Sequence, residues 1–177
     1  MAGSLLPTPA PDFSQGLELL HACHGRIEAQ CATLLRLPAH LRAHGSDPQA
    51  QQAAQAVLRY FLVAAPHHHE DEEQDLFPML RSMDAANALL LDDLSRQHRE
   101  LEAAWQAVRP WLEKVARGEP VDPDSALVEH LVAQYRAHIA QEEAELLPYC
   151  RQALSREQQA ELGERMAARR GASIGNS

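Results

Sequence analysis

The chain has no run approaching the ~20 consecutive apolar residues of a membrane-spanning helix, and no segment alternates β-branched and polar residues as a strand does. Valine, isoleucine and threonine are few, so a sheet-based fold is excluded along with a helical membrane protein. Basic charge is scarce as well: 16 Lys and Arg stand against 25 Asp and Glu, for a formal net charge of −9. Nucleic acid and anionic membrane are therefore poor partners, and small cations are better ones. The three cysteines, Cys23, Cys31 and Cys150, include no CxxC pair and cannot all be paired. They read as buried thiols of a protein kept in a reducing compartment. Residues 1–11 lack a basic region followed by an apolar run, so no signal peptide is expected and the predicted location is cytoplasmic.

What the chain does have is histidine, ten in 177 residues, and a recurring spacing. His24 with Glu28, His68 with Glu72, His98 with Glu102, and His138 with Glu142 each place a glutamate four residues after a histidine. On a helix this stacks the two side chains one turn apart on one face, where both can reach a single metal ion. Four such pairs point to a two-metal site inside a helical bundle.

Punctuation divides the chain into four long helical segments and a short fifth. The first begins near Ser14 and runs toward Gly45; the second opens at Asp47-Pro48, a cap residue followed by proline at the first helical position. The third starts around Asp84 and ends before Gly118, and the fourth opens at Asp122-Pro123. After Pro148, Ser155 with Gln158 reads as the capping box of a last helix ending before Gly171. Pro38, Pro66 and Pro110 fall inside these patterns and predict kinks; Pro66 also frees the carbonyl of Leu62 just before His68. The expected organisation is an N-terminal arm over 1–13, a bundle over 14–150, and a C-terminal helix and tail over 151–177. The last segment, with Leu154, Leu162 and Met166, is expected either to cover the bundle or to form a homodimer contact.

Spacing places the pairs at one depth. His24 lies 20 residues before His44 and His68 lies 20 after Pro48, so an antiparallel hairpin turning at 45–47 sets them level. His98 and His138 are each 20 residues from Gly118, and His68 and His98 are equidistant from Met83. All three midpoints fall on turn signals. Each pair also lies on its segment's apolar stripe, which predicts four glutamates in the core. Buried carboxylates cost several kcal/mol each unless compensated, so two divalent cations, or two trivalent ones with an oxo bridge, are the expected compensation. The halves repeat: His68, Glu72, Glu73, Leu76 and Pro78 recur at an offset of 70 as His138, Glu142, Glu143, Leu146 and Pro148. Leu17, Leu20, His24, Ile27 and Glu28 recur at an offset of 74 as Leu91, Leu94, His98, Leu101 and Glu102. A pseudo-twofold axis between two metals follows. The repeat also selects His68 among His67, His68 and His69, and His24 over its neighbour His21.

With these residues in view, the sequence resembles the hemerythrin-like, or HHE cation-binding, family. The resemblance rests on HHHEDEEQDLFP around His68 and Glu72, HIAQEEAELLP around His138 and Glu142, and single histidines at His24 and His98. It covers about Leu17 to Pro148. What it implies is an all-α, up-down-up-down four-helix bundle, here with a short additional C-terminal helix, holding two iron ions in a non-haem di-iron centre, with Glu72 and Glu142 as bridging carboxylates. Family members bind dioxygen reversibly, sense oxygen or iron, or have no settled role. The oxygen carriers have a second histidine where this chain has Glu102 and no carboxylate where it has Glu28. With His24, Glu28, His68, Glu72, His98, Glu102, His138 and Glu142 as the ligand set, the site is harder and more anionic, suiting ferric iron or manganese, with zinc as a further occupant. Glu28 and Glu102 are expected either to bind metal or to orient a ligating histidine.

Two functions remain open: a protein that binds or senses dioxygen, nitric oxide or iron, and a di-iron oxidase or peroxide-consuming enzyme. A ferritin-like store would show two ExxH motifs, and only Glu18 with His21 has that spacing. Among the remaining groups, His40 and His44 suit a helix C-terminus, while His67, His69 and His130 are expected at the surface or the bundle's edge. Phe61, Trp105 and Tyr135 are expected to pack in the core, and Glu70, Asp71 and Glu73 to form a solvated acidic face.

Overall fold

In the computed structural model, which describes residues 15–84 and 87–171, four long helices pack side by side and a fifth, shorter helix lies against them. Helix α1 spans Gly16–His44. Helix α2 runs unbroken from 48 to 83 and α3 spans Ala88–Ala116. Helix α4 runs from 125 to 153, and α5 spans Arg156–Arg169. Neighbours in sequence pack on each other and α4 closes the ring against α1, which gives the expected up-down-up-down bundle. No strand occurs among the described residues, and no described helix is long and apolar enough to cross a membrane. The N-terminal arm expected over 1–13 lies outside the described residues.

Local chemistry sets most of the boundaries. The Asp47 carboxylate accepts from the Ala50 N–H ahead of Pro48, and the Ser155–Gln158 capping box forms in both directions. Gly45 turns the chain out of α1 at φ 66°, a conformation that costs glycine little. The start of α4 differs from the Asp122-Pro123 reading. Its cap is Asp124, which accepts from Leu127 N–H, and the helix begins at Ser125.

Three turns are wider than α-helical, with hydrogen bonds reaching back five residues: Tyr60–Ala64 and Asp71–Leu76 in α2, and Glu142–Leu146 in α4. Each is followed, two residues after its end, by a proline: Pro66, Pro78 and Pro148. Proline cannot donate to the carbonyl four residues back, and its ring collides with that carbonyl, so an extra residue in the preceding turn relieves the conflict. Pro38 and Pro110, by contrast, sit within continuous α-helix.

The apolar interior forms two clusters. One, built on Ile27, Leu34, Val57, Phe61, Trp105, Val108, Leu131 and Tyr135, fills the end of the bundle near the 45 and 118 turns. The other, built on Leu17, Leu20, Leu76, Leu80, Leu91, Leu94, Leu146 and Leu147, fills the opposite end and takes in Leu154, Leu162 and Met166. Within this chain, therefore, α5 covers the bundle. It approaches so closely that a Cβ on Gly16 would lie 3.0 Å from the Gln159 carbonyl oxygen. Cys23, Cys31 and Cys150 are buried thiols, and burial pushes Cys31 and Cys150 up to about 12.

Candidate metal centre

Between the two apolar clusters lies a layer of buried polar side chains. His24 comes from α1, His68 and Glu72 from α2, His98 from α3, and His138 and Glu142 from α4, all 5 % exposed or less. The wide turns aim the carboxylates. Phe77 N–H reaches back to the Glu72 carbonyl and Leu147 N–H to that of Glu142, so each glutamate accepts the closing five-residue hydrogen bond of its turn.

The two carboxylates stand between two pairs of imidazoles. Glu72 turns one oxygen toward His68 Nε2 at 3.6 Å and the other toward His98 Nε2 at 3.2 Å. Glu142 turns one toward His24 Nε2 at 3.0 Å and the other toward His138 Nε2 at 3.2 Å. Two donor groups result, His24–His68–Glu72–Glu142 and His98–His138–Glu72–Glu142, in each of which the ligand atoms lie within 4.8 Å of one another. Both glutamates belong to both groups.

The outer ring nitrogens show which way the imidazole protons point. His24 Nδ1 meets Glu143 Oε1 at 2.5 Å and His98 Nδ1 meets Glu73 Oε1 at 2.7 Å. His138 Nδ1 meets Gln97 Oε1 at 2.9 Å, and that amide is fixed because its nitrogen donates to Asp93 and Gln141. Acceptors at Nδ1 make it the donor, so Nε2 of His98 and His138 present lone pairs that face each other at 3.2 Å. Lone pairs in that position repel unless a cation lies between them. The inner atoms agree: His24 Nε2, both nitrogens of His68 and all four oxygens of Glu72 and Glu142 are buried without a hydrogen-bond partner. Chemically this donor set fits two divalent cations.

Without a cation the layer is electrostatically strained. Burial, reinforced by the charge of Glu142, holds the Glu72 carboxyl well above the carboxylate range. Burial opposes ionisation of Glu142 too, but His138 and His24 outweigh it and hold that carboxyl well below its usual value. Burial likewise disfavours a charged His24, yet the neighbouring Glu142 and Glu143 carboxylates raise it to about 9. His68 is driven well below its usual value by burial.

Two of the eight expected ligands are elsewhere. Glu28 has a side chain 46 % exposed and paired with the Arg136 guanidinium, and Glu102 faces solvent, accepting from Gln106. The reason is phase: in α1 and α3 the residue three after the histidine, Ile27 or Leu101, takes the inward position at 1 % exposure. The next residue is then rotated outward by ~100°. The expected acidic face is corrected at one residue. Glu70 and Glu73 have side chains 44 % and 42 % exposed, with Glu73 also orienting His98, but Asp71 is fully buried, held by Arg169 at the end of α5 and by Arg170 just after it. Glu73 and its counterpart Glu143 restore the count of four carboxylates, two acting through imidazoles.

His69 also departs from its expected surface position. It is partly buried with an unpartnered Nε2, lies 4.2 Å from the His98 ring, and groups with His98 and His138. Burial, then the neighbouring His98, keep it well below its usual value and neutral. Its place beside His68 within one helical turn was the available signal. His21 is an exposed outer member of the layer, hydrogen-bonded to Glu143 at 2.7 Å. His40 pairs with Asp47, far along α1, and His130 is exposed. Gln97 had no signal, since its counterpart in the repeat is Cys23.

Residues 15–150 match the hemerythrin HHE cation binding domain. The chain belongs to this family. An uncharacterized protein of Haemophilus influenzae is 35 % identical over 166 residues, covering 94 % of this chain and 96 % of that one. The hemerythrin HHE match takes in all four helices that supply the layer and leaves α5 outside.

Proposed function

We propose that this hemerythrin-like chain holds two iron ions in a non-haem di-iron centre and uses them to bind or sense dioxygen, nitric oxide or iron itself. The observation that carries the reading is the sharing of Glu72 and Glu142 between two pairs of imidazoles whose inner lone pairs have no protons to meet. Each position receives two imidazole nitrogens and one oxygen from each carboxylate. Iron prefers about six donors, so a set of four leaves room for a small exogenous ligand. Bound iron would supply a redox-active Lewis-acid pair that accepts such a ligand. The chain's own part is to hold the donors apart at a fixed depth, exclude bulk water with the two apolar clusters, and keep the Nδ1 protons outward on Glu73, Glu143 and Gln97. A groove of about 640 Å³, lined in part by Ala22, Gly25, Ile139 and Ala140, runs up to His24 and suits approach of a small uncharged molecule.

One feature favours an oxidase or peroxide-consuming reaction as a second reading. The His21–Glu143–His24 hydrogen bonds link exposed imidazole to the buried layer, a path by which protons could be delivered during turnover. Anaerobic reconstitution with ferrous iron, metal analysis, and addition of oxygen with optical monitoring separate the two. Two ions per chain with a band that vanishes on deoxygenation support binding; continued oxygen or peroxide consumption with a reductant supports catalysis. Fewer than two ions per chain would defeat the di-iron reading.

A further inference from the structure

Helix α5 lies outside the hemerythrin HHE match, yet the arginines at its end grip the wide turn that carries Glu72. Asp71, the first residue of that turn, is fully buried and accepts from Arg169 and from both terminal nitrogens of Arg170, the latter at 2.6 and 3.0 Å. Asp75, four residues on, accepts from Arg169 at 2.6 Å and from Arg165 at 3.5 Å. The Arg169 guanidinium thus spans the turn from Asp71 to Asp75. The turn of Glu142 is held differently. At the repeat's offset of 70, Asp71 and Asp75 correspond to Gln141 and Glu145. Gln141 accepts from Gln97 inside the bundle at 2.6 Å, and Glu145 is exposed.

From this arrangement we infer that Asp71, Asp75, Arg169 and Arg170 are positioning residues for Glu72, and that docking of α5 and occupancy of the metal centre are linked. The inference deepens the di-iron reading and rests on it. Asp71 and Glu72 are consecutive and both fully buried, so one carboxylate meets the end of α5 while the next meets the polar layer. Relaxing a wide turn to α-helical geometry shifts the phase of the residues within it, and ion pairs at its first and fifth positions oppose that shift. A buried ion pair adds little stability over apolar packing of the same volume; what it adds here is direction. Leu162 and Met166 supply the apolar part of the contact. Because Glu72 belongs to both donor groups, loosening it weakens both ions, and by reciprocity a bound ion steadies α5.

The test uses the full chain: wild type, Arg169→Gln/Arg170→Gln, and the matched triple variant Asp71→Asn/Arg169→Gln/Arg170→Gln. Hydrogen exchange of Arg156–Arg169 is followed anaerobically with and without ferrous iron. Chelator competition gives the iron affinity, and Mössbauer spectra of the ⁵⁷Fe-loaded proteins report the ligand geometry. Wild type is expected to slow exchange of α5 on binding iron. Both variants are expected to lose that response, to bind iron roughly tenfold more weakly or worse, and to shift in quadrupole splitting. The triple variant removes the Asp71 charge together with its partners, while Asp75 keeps Arg165, so it separates positioning from the cost of an unpaired buried charge. Val108→Ala, in the far apolar cluster, is the control and is expected to lose stability to denaturant while keeping wild-type affinity and spectrum. Exchange of α5 that ignores iron in wild type, wild-type affinity and spectrum in the triple variant, or an equal loss of affinity in Val108→Ala overturns the inference while leaving the di-iron reading intact. Uptake of fewer than two ions by wild type overturns both.

Discussion

Glu73 and Glu143 do their work through imidazoles, since each accepts the outer N–H of a histidine whose inner nitrogen faces the centre. Loss of such a carboxylate leaves the inner donor in place but unanchored and less basic. Glu143→Ala and Glu73→Ala are therefore expected to weaken metal binding by about 10- to 100-fold, measured by chelator competition, with the helical content unchanged. Unaltered affinity in both would mean that packing alone orients the imidazoles. His68→Ala is expected to abolish binding of at least one ion, whereas His40→Ala, which removes only a partner of Asp47 at 2.9 Å, should leave metal content at the wild-type level. Equal metal loss in the two variants would displace the site from this layer. At this scale the sequence pattern located the six converging side chains and misplaced Glu28 and Glu102 among them. The i, i+4 rule treats Glu28 and Glu72 alike, but only a knowledge of which neighbour faces inward distinguishes them. The consecutive glutamates 72–73 and 142–143, which recur together, carried the missing signal.

At the level of helices, the prolines explain how the glutamates are presented. Pro78 and Pro148 each follow a wide turn that carries one of the two shared carboxylates, and the repeat places them alike in α2 and α4. Replacing Pro78 with alanine restores a backbone donor and removes the ring, so the metal-free protein is expected to gain about 1 kcal/mol, well under the ~3 kcal/mol cost of an unrelieved interior proline. The same change relaxes the turn and is expected to weaken metal binding by about tenfold, or ~1.4 kcal/mol. Denaturant titrations with and without metal measure both effects, and an equal shift in the two states would separate proline from carboxylate placement. The cap residues Asp47 and Ser155 were readable because a capping side chain acts on its own next few residues. The wide turns were not. A proline announces a local fault, yet whether the helix kinks, widens or continues depends on what packs beside it, as Pro38 and Pro110 show.

Across the whole molecule, a polar layer is sandwiched between two apolar clusters, and its two carboxylates have no compensating charge of their own beyond imidazoles. Folding energy and cation binding are thus linked. Thermal unfolding of the metal-depleted protein is expected at a lower midpoint than that of the loaded one, with a difference on the order of 4 kcal/mol when free metal is a thousandfold above Kd. Identical midpoints would show that the layer gains nothing from its ions. The bundle topology was legible because the helices' lengths and turns are equal enough to set four histidines level. The sequence leaves the seat of α5 open between cover and dimer contact, because a helix's apolar stripe does not name the surface it meets. In the structure it meets α1 and the turn that carries Glu72.

That seat has a consequence for how the protein is made. Asp71, fully buried and directly before Glu72, is neutralised by Arg169 and Arg170, nearly a hundred positions further along the chain. During synthesis all four helices that supply the layer leave the ribosome before those arginines exist, and until α5 docks the face of the turn that carries Asp71 stays open to water. Burial of that turn is therefore expected to wait on translation of residues 169 and 170.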